Sequence, residues 1–207
     1  MRVAVLSEVS AAHRNADILA ALDGRGLEVF NLGNTAAGQV PGLLYIHTGL
    51  MAALLLHLKC VDLIVGGCGT GLGFMNAVLQ YPGVVCGHIL TPLDAWLFSR
   101  INAGNCVSLA LNQGYGWAGE VNLRFIFEKL FSVQSGLGYP EHRRAAQKAS
   151  RLLLNDINAV THQSMPSIIE RLPDDVVKPA IAFPGFLETL EKYGDRSTGI
   201  LAALKKR

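Results

Sequence analysis

One cysteine of the sequence lies among closely spaced glycines, in the segment Gly67-Cys68-Gly69-Thr70-Gly71-Leu72-Gly73. An apolar run precedes this segment and a helical pattern follows it, so we expect a loop between a buried strand and a helix. Glycines let backbone N–H groups approach a ligand closely, and a helix N-terminus favours negative charge. The same field favours the thiolate of Cys68, which makes this residue a candidate base or nucleophile. The alternative is a structural role, in which Cys68 fills a small space between glycines.

Three known uses of a glycine-rich or cysteine-bearing loop do not fit the surrounding residues. A phosphate-binding P-loop requires lysine and then serine or threonine after the glycines, whereas phenylalanine and methionine follow Gly73. A dinucleotide-binding loop has a different glycine spacing and an acidic residue at a strand end, while Asp94 lies at a predicted helix start. A thiolate phosphatase needs an arginine soon after the cysteine, and none occurs before Arg100. What remains is proton transfer through an enediolate, by a thiolate base beside amides that hold the oxyanion, as in aldose–ketose isomerisation.

The elements that must position this loop alternate between short apolar runs and helical patterns, which is typical of a parallel sheet. We predict a three-layer α/β/α sandwich with a doubly wound, Rossmann-like parallel sheet over residues 1–135. Ligands of such sheets bind beyond the carboxyl ends of the strands, where the Cys68 loop lies. For residues 136–207 we expect a helical extension that packs on the core or on a partner subunit. The predicted strands are 3–6, 27–31, 61–65, 84–89 and 106–111, and the predicted helices are 15–22, 45–58, 74–80, 92–100, 118–131 and 141–155.

The composition argues against several classes of partner. The 207 residues carry a formal net charge of +2, and the 16% that are charged are too scattered for the basic stripe of a nucleic-acid-binding protein. No stretch reaches the ~20 uninterrupted apolar residues of a membrane span, and the N-terminal apolar run is too short for a signal peptide. The four cysteines have no metal-ligand spacing. We expect a cytoplasmic protein that acts on a small molecule without a metal or organic cofactor.

The loop resembles the most specific motif of the ribose-5-phosphate isomerase B and galactose-6-phosphate isomerase family. As in that family, Cys68-Gly69-Thr70-Gly71-Leu72-Gly73 follows an apolar strand and precedes a helix that ends at Pro82-Gly83. The resemblance runs from Met1 to about Arg144, roughly two-thirds of the chain. Further positions that match segments of the family are Ser7, Tyr45, Pro92, Ala95, Asn102 and Asn105.

The resemblance implies a role for each matching residue. Cys68 would be the base that moves a proton between C1 and C2 of a small sugar or sugar phosphate, and Thr70 would steady the enediolate oxygens. The substrate would also contact the amides of Gly69, Gly71 and Gly73 and the side chains of Glu8, Tyr45, Asn102, His142 and Arg144. Members of the family form dimers with sites at the subunit interface, so we expect a homodimer.

Two departures from the family concern ring opening. The Asp-His pair after the first strand is here Glu8-Val9, so the carboxylate survives and the histidine is lost. The histidine that opens the sugar ring is replaced by Ile101. A non-catalytic carbohydrate- or phosphate-binding protein is therefore an alternative, and an isomerase or epimerase of open-chain substrates is another.

A third departure concerns the phosphate. Glu141 stands where the family has a phosphate-binding arginine, and its carboxylate would repel a phosphate. Arg143, Arg144 or the His13-Arg14 pair could take over this role, although solvated surface arginines are the simpler explanation. The sequence leaves open whether the substrate is phosphorylated.

Two further histidines are candidate proton-transfer groups. His88 lies at the end of the fourth predicted strand and His47 near the start of a helix, so either could face the loop. A lone histidine at such a position is more often a packing residue. His57, on a leucine-rich helix, is interpreted as structural.

Overall fold

The computed structural model describes the whole chain from Met1 to Arg207. Five parallel strands form one sheet: β1 (Arg2–Ser7), β2 (Glu28–Asn31), β3 (Leu63–Cys68), β4 (Cys86–Ile89) and β5 (Cys106–Ala110). Their order across the sheet is β2-β1-β3-β5-β4. The chain adds β2 on the outer side of β1, and it adds β5 and β4 on the opposite side, beyond β3. The carboxyl ends of β1 and β3 therefore flank a switch point of the topology. The predicted doubly wound parallel sheet is confirmed.

The central strand β3 extends three residues further than the sequence predicted, because it stays paired with β5 through Cys68. Its last glycines lie where the sheet has no room for a side chain. A Cβ atom on Gly66 would lie 2.2 Å from the ring of Phe74, and one on Gly67 would lie 2.3 Å from the carbonyl oxygen of Leu109. These two glycines are therefore explained by packing, and only the glycines after Cys68 belong to the loop.

Helices cover both faces of the sheet. One face carries α1 (Asn15–Leu22), α4 (Pro92–Leu97) and α5 (Gly119–Phe131), and the other carries α2 (Tyr45–His57) and α3 (Leu72–Val78). A 3-10 helix (Val9–Arg14) follows β1, and a π-helical turn (Phe98–Asn102) continues α4. Residues 47–55 of α2 are all buried, so a further layer must cover this helix.

That layer is formed by the C-terminal part of the chain. It contains α6 (Arg144–Thr161), α7 (Met165–Arg171), α8 (Asp174–Ile181), α9 (Phe186–Tyr193) and α10 (Ile200–Leu204). The last four helices contribute buried side chains, Phe186 and Leu190 among them, to the same hydrophobic core as α2. In contrast, no residue of α6 is buried. None of the helices combines the length and the apolar character that a membrane crossing requires.

We expect the protein to lose stability in alkaline solution, because buried thiol and phenol groups must stay protonated in the fold. Burial raises the pKa of Cys60 from 9.0 to about 11 and that of Tyr81 from 10.0 to about 12. Between pH 9 and 11 the unfolded chain therefore binds fewer protons than the folded chain, so the free energy of unfolding falls as the pH rises. Each group contributes at most about 1.4 kcal/mol per pH unit.

Urea denaturation at several pH values between 8 and 11 measures this dependence. Tyr81→Phe should decline less steeply above pH 10, because the variant has no phenol to deprotonate at this position. A free energy of unfolding that stays level between pH 9 and 11 would contradict the prediction.

Candidate active site

Cys68 is the last residue of β3 and lies at the carboxyl edge of the sheet, the edge at which all five strands end. Its side chain is 6% exposed and belongs to the core on the face of α2 and α3. The Sγ atom lies 3.8 Å from Oγ1 of Thr70, and this oxygen accepts a hydrogen bond of 3.3 Å from the Leu72 amide. The thiol and the hydroxyl of the two candidate catalytic residues are therefore adjacent.

The loop after Cys68 is held by its carbonyl groups. The carbonyl oxygens of residues 68–71 accept hydrogen bonds of 2.6 to 3.0 Å from β4, from β5 and from the loop after β5. The Cys68 carbonyl accepts from the amide of Leu111, and the Gly69 carbonyl accepts from the amides of Asn112 and Gln113. The Thr70 carbonyl accepts from Nε2 of His88, and the Gly71 carbonyl accepts from the hydroxyl of Ser108. Gly71 has a φ of +76°, a conformation that favours glycine, and it leads directly into α3. His88 therefore supports the loop, and its proton lies on Nε2 in this contact.

The amide groups of the loop divide into two sets. Gly69 donates its N–H to Oγ of Ser10 at 3.1 Å, and Gly71 donates to the carbonyl of Cys68 at 3.3 Å. The N–H groups of Thr70, Gly73 and Phe74 donate to no acceptor of the protein. In a planar trans peptide, a carbonyl that points inward leaves the next amide pointing outward. Of the amides of Gly69, Gly71 and Gly73, only that of Gly73 is free to meet a ligand in this structure.

Glu8 reaches the loop through a serine that sequence reasoning missed. The Glu8 side chain is buried, and its Oε1 accepts hydrogen bonds from the amide and the hydroxyl of Ser10. The same hydroxyl accepts the Gly69 amide, and Nδ2 of Asn112 donates to the Ser10 carbonyl at 2.9 Å. Glu8 is the N-cap of the 3-10 helix, and no motif at this position of the sequence points to Ser10. The carboxyl ends of β1 and β3 are thus joined through Ser10.

Tyr45 is the first residue of α2 and packs over the loop. A Cβ atom on Gly73 would lie 3.2 Å from the Tyr45 ring, which is why a glycine fits there. His47, two residues further along the same helix, is structural, since Nδ1 accepts the Leu44 amide at 3.1 Å and Nε2 donates to the Asp175 carbonyl at 3.0 Å. The structure therefore places the tyrosine at the loop and uses the histidine to fasten α2 to α8.

Asn102, His142 and Arg144 lie at the opposite edge of the sheet. Asn102 ends the π-helical turn that leads into the start of β5. The segment that precedes α6 is tied to this turn by a hydrogen bond of 2.7 Å from the Gly138 amide to the Arg100 carbonyl. His142 is exposed in the 3-10 helix Glu141–Arg143 that precedes α6, and Arg144 pairs with Glu141 at 2.9 Å. We call this the amino edge. Within one chain, these three residues are not brought together with Cys68, which lies at the carboxyl edge.

The other thiols do not form a site. Cys60 and Cys106 are buried and Cys86 is half-buried, and burial raises the pKa of the Cys106 thiol as it does that of Cys60. No three His, Cys, Asp or Glu side chains of the chain are grouped so that they could hold a metal ion. Cys68 is therefore the thiol whose surroundings suit chemistry.

The chain belongs to the ribose/galactose isomerase family, since the model of the family described as Ribose/Galactose Isomerase matches residues 3–132. This match includes β1 to β5 and the whole carboxyl edge. None of the curated proteins matches the chain.

Two solved structures are similar over the whole chain. A 4-deoxy-L-threo-5-hexosulose-uronate ketol-isomerase, complexed with a tartrate, is 35% identical, with 100% of this chain and 98% of that chain covered and a TM-score of 0.94. A ribose-5-phosphate isomerase from Vibrio parahaemolyticus is 39% identical, with 100% and 96% covered and a TM-score of 0.91. A type B ribose 5-phosphate isomerase from Trypanosoma cruzi is 18% identical over 78% of this chain and all of its own, with a TM-score of 0.65, and shows the fold alone.

Removing the Ser108 hydroxyl should loosen the loop. Ser108 is fully buried and donates its hydrogen bond of 2.6 Å to the Gly71 carbonyl, where the chain turns into α3. Ser108→Ala should lower the free energy of unfolding by about 1 kcal/mol, because the Gly71 carbonyl loses one of its two donors and keeps the Met75 amide. Ser150→Ala is the control, since this exposed hydroxyl also donates to a carbonyl, that of Ala146, and should cost less than about 0.5 kcal/mol. Equal effects of the two substitutions in urea denaturation would show that the contact does not stabilise the loop.

Proposed function

We propose that the chain catalyses the isomerisation of a small aldose and ketose through an enediolate, with Cys68 as the base. The observation that carries the proposal is the placement of the Cys68 thiol beside the Thr70 hydroxyl, in a loop whose carbonyls are all turned inward. The free amides of Thr70, Gly73 and Phe74 then supply donors for a negatively charged oxygen. Membership of the ribose/galactose isomerase family supports the same reaction.

The chemistry uses few groups. In the direction from aldose to ketose, the Cys68 thiolate takes the proton from C2, and the electrons of this C–H bond form the double bond of the enediolate. The former carbonyl oxygen at C1 becomes negative and is held by the free amides. Since Oγ1 of Thr70 accepts from the Leu72 amide, its own proton is free to pass to O1 while the hydroxyl takes the proton of O2. The Cys68 thiol then returns its proton to C1, which leaves a ketone at C2.

We propose that the substrate enters as an open chain and carries a carboxylate. The 35% identical relative is named for 4-deoxy-L-threo-5-hexosulose-uronate. A sugar acid that lacks the hydroxyl on C4 and has a ketone at C5 cannot close the usual furanose or pyranose ring, so its isomerase needs no ring-opening histidine. Ile101, in place of that histidine, suits such a substrate. Glu141, in place of a phosphate-binding arginine, suits a substrate without phosphate.

Ribose 5-phosphate is the second candidate, because the relative from Vibrio parahaemolyticus named for it is 39% identical. This substrate closes a furanose ring, so the chain would have to accept the small open-chain fraction or open the ring with another group. Arg143 and Arg144 lie near the position of the missing arginine, but Arg144 is paired with Glu141. The carboxylate-bearing candidate requires neither adjustment.

We also propose that two chains form a homodimer in which each supplies residues to the other's site. The candidate residues Asn102, His142 and Arg144 lie at the amino edge and would meet the Cys68 loop of a second copy. α6 presents exposed Leu153, Ile157 and Val160 at 60%, 48% and 86%. Spaced by four and three residues, these side chains form one stripe of the helix. An apolar stripe of this kind is suited to contact with a second chain.

Replacing Cys68 should abolish proton transfer. The purified protein is incubated in deuterated water with 4-deoxy-L-threo-5-hexosulose-uronate, with ribose 5-phosphate, and with neutral pentoses and hexoses, and NMR follows deuterium at C1 and C2. Cys68→Ala should lower exchange and turnover at least about a hundredfold, the usual contribution of a positioned base. Cys86→Ala is the matched control and should keep the activity.

The outcomes separate the alternatives. Exchange with a single compound identifies the substrate, and full activity of Cys68→Ala would refute the role of the base. Tight binding of a sugar without any exchange would instead support a non-catalytic binding protein.

Charging the α6 stripe should dissociate the dimer. The double variant Leu153→Glu and Val160→Glu places two carboxylates in the stripe, and sedimentation velocity should then show monomers. Asn155→Glu is the control, because Asn155 lies on the same exposed helix outside the stripe. Dimers that persist in the double variant, or wild-type protein that is monomeric, would contradict this assembly.

A further inference from the structure

Arg14 lies at the carboxyl edge, close to the elements that frame the Cys68 loop. It is the last residue of the 3-10 helix that begins after β1 and contains Ser10. Asn112 joins this helix to the loop, since Nδ2 donates to the Ser10 carbonyl and its own amide donates to the Gly69 carbonyl. Tyr115 follows in the same turn, with its amide 3.3 Å from the Asn112 carbonyl. The segment that fixes the loop therefore also brings Tyr115 against Arg14.

The guanidinium of Arg14 has a fixed orientation. Its central carbon lies 3.9 Å from the centre of the Tyr115 ring, which is the distance of a stacked cation–π pair. The Tyr115 hydroxyl donates a hydrogen bond of 2.7 Å to Asp17, and Nη1 of Arg14 lies 3.6 Å from the same carboxylate oxygen. The Tyr115 ring therefore holds the guanidinium of Arg14 by stacking, and the Asp17 carboxylate holds it at Nη1.

The donors of this guanidinium are unfilled. Arg25 and Arg151 each donate two hydrogen bonds to backbone carbonyls, whereas Arg14 donates none within hydrogen-bonding distance. The Nε of Arg14 is enclosed without an acceptor, and the side chain as a whole is 32% exposed. The two terminal nitrogens are not enclosed, so an incoming group can reach them. A partly desolvated guanidinium with free, coplanar donors binds oxyanions strongly.

We propose that Arg14 binds the anionic group of the substrate at the carboxyl edge, a carboxylate or a phosphate. This inference rests on the proposed isomerase function and adds the residue that selects an acidic substrate. The planar guanidinium can give two parallel N–H···O bonds to a carboxylate, which a lysine cannot reproduce. The charges grouped with it around Tyr115 are the carboxylates of Asp17, which holds it, and of Glu120.

Anion titration tests the proposal without requiring turnover. Isothermal calorimetry measures the binding of tartrate and of inorganic phosphate to the wild type, Arg14→Gln, Arg14→Lys and Arg124→Gln. The last variant removes the same charge from an exposed position of α5 and is the control. Arg14→Gln should bind the preferred anion at least tenfold more weakly, Arg14→Lys should lose part of the affinity, and Arg124→Gln should match the wild type.

The comparison of the two anions distinguishes the sources of the charge. Tighter tartrate binding that depends on Arg14 assigns the site to a carboxylate, and tighter phosphate binding assigns it to a phosphate. Equal affinities of wild type and Arg14→Gln, or no binding of either anion by the wild type, would overturn the proposal. Arg14→Lys keeps the charge and the aliphatic stem, so it still tests the donor geometry if Arg14→Gln does not fold.

Kinetics separates this inference from the proposed function. With an acidic substrate that the wild type converts, Arg14→Gln should raise KM at least tenfold, while KM for any neutral aldose that is converted should not change. An active wild type with equal KM values in Arg14→Gln would refute the role of Arg14 alone. A wild type that exchanges deuterium into no compound but binds the anions through Arg14 would refute the isomerase function alone.

Discussion

The carbonyl groups of residues 68–71 need hydrogen-bond donors inside the protein, and the carboxyl edge is organised around this need. A buried carbonyl without a donor costs free energy, so the chain brings donors from β4, from β5 and from the loop after β5. Because every one of these carbonyls turns inward, the intervening amides are left facing outward or find local partners such as Ser10. The arrangement that satisfies the backbone is thus also the arrangement that leaves donors for a ligand. The free donors of the loop therefore follow from the way its backbone completes its own hydrogen bonds.

The packing of β3 sets where this loop begins. Phe74 presses against Gly66 from the start of α3, and Leu109 of β5 presses against Gly67, so the strand stays flat and paired up to Cys68. The cysteine consequently belongs to a rigid strand end, while Thr70 two residues later is exposed. A thiol held by the sheet and a hydroxyl held by the loop meet with Sγ and Oγ1 3.8 Å apart. Sites built on rigid elements hold their geometry better than sites built on loops alone.

The sequence was sufficient for the sheet and for the position of the loop. Alternating apolar runs and helical patterns identified the five strands and the helices around them, because these patterns depend on neighbours along the chain. The end of β3 was predicted too early, since glycines usually interrupt a strand and the contacts with Phe74 and Leu109 that require them are formed between distant segments. Ser10 and Ser108 were missed for the same reason, as each meets the loop across a long separation in sequence.

The site residues implied by the family resemblance lie at two opposite edges of the sheet. Glu8, Tyr45 and Thr70 lie at the carboxyl edge with Cys68, and their elements were correctly placed by the pattern of strands. Asn102 and Arg144 follow a helix back to the amino edge, so the resemblance grouped residues that one chain keeps apart. A motif match gives the residue types of a site, but the assembly decides which of them meet.

The hydrogen bond between Nε2 of His47 and the Asp175 carbonyl connects the C-terminal helices to the start of α2. The turn of α2 that carries Tyr45 over Gly73 is anchored on one side by its own backbone at Leu44 and on the other by α8. A displacement of α8 would therefore reach the ring that covers the loop, so substitutions in the C-terminal helices can alter the loop without contacting it.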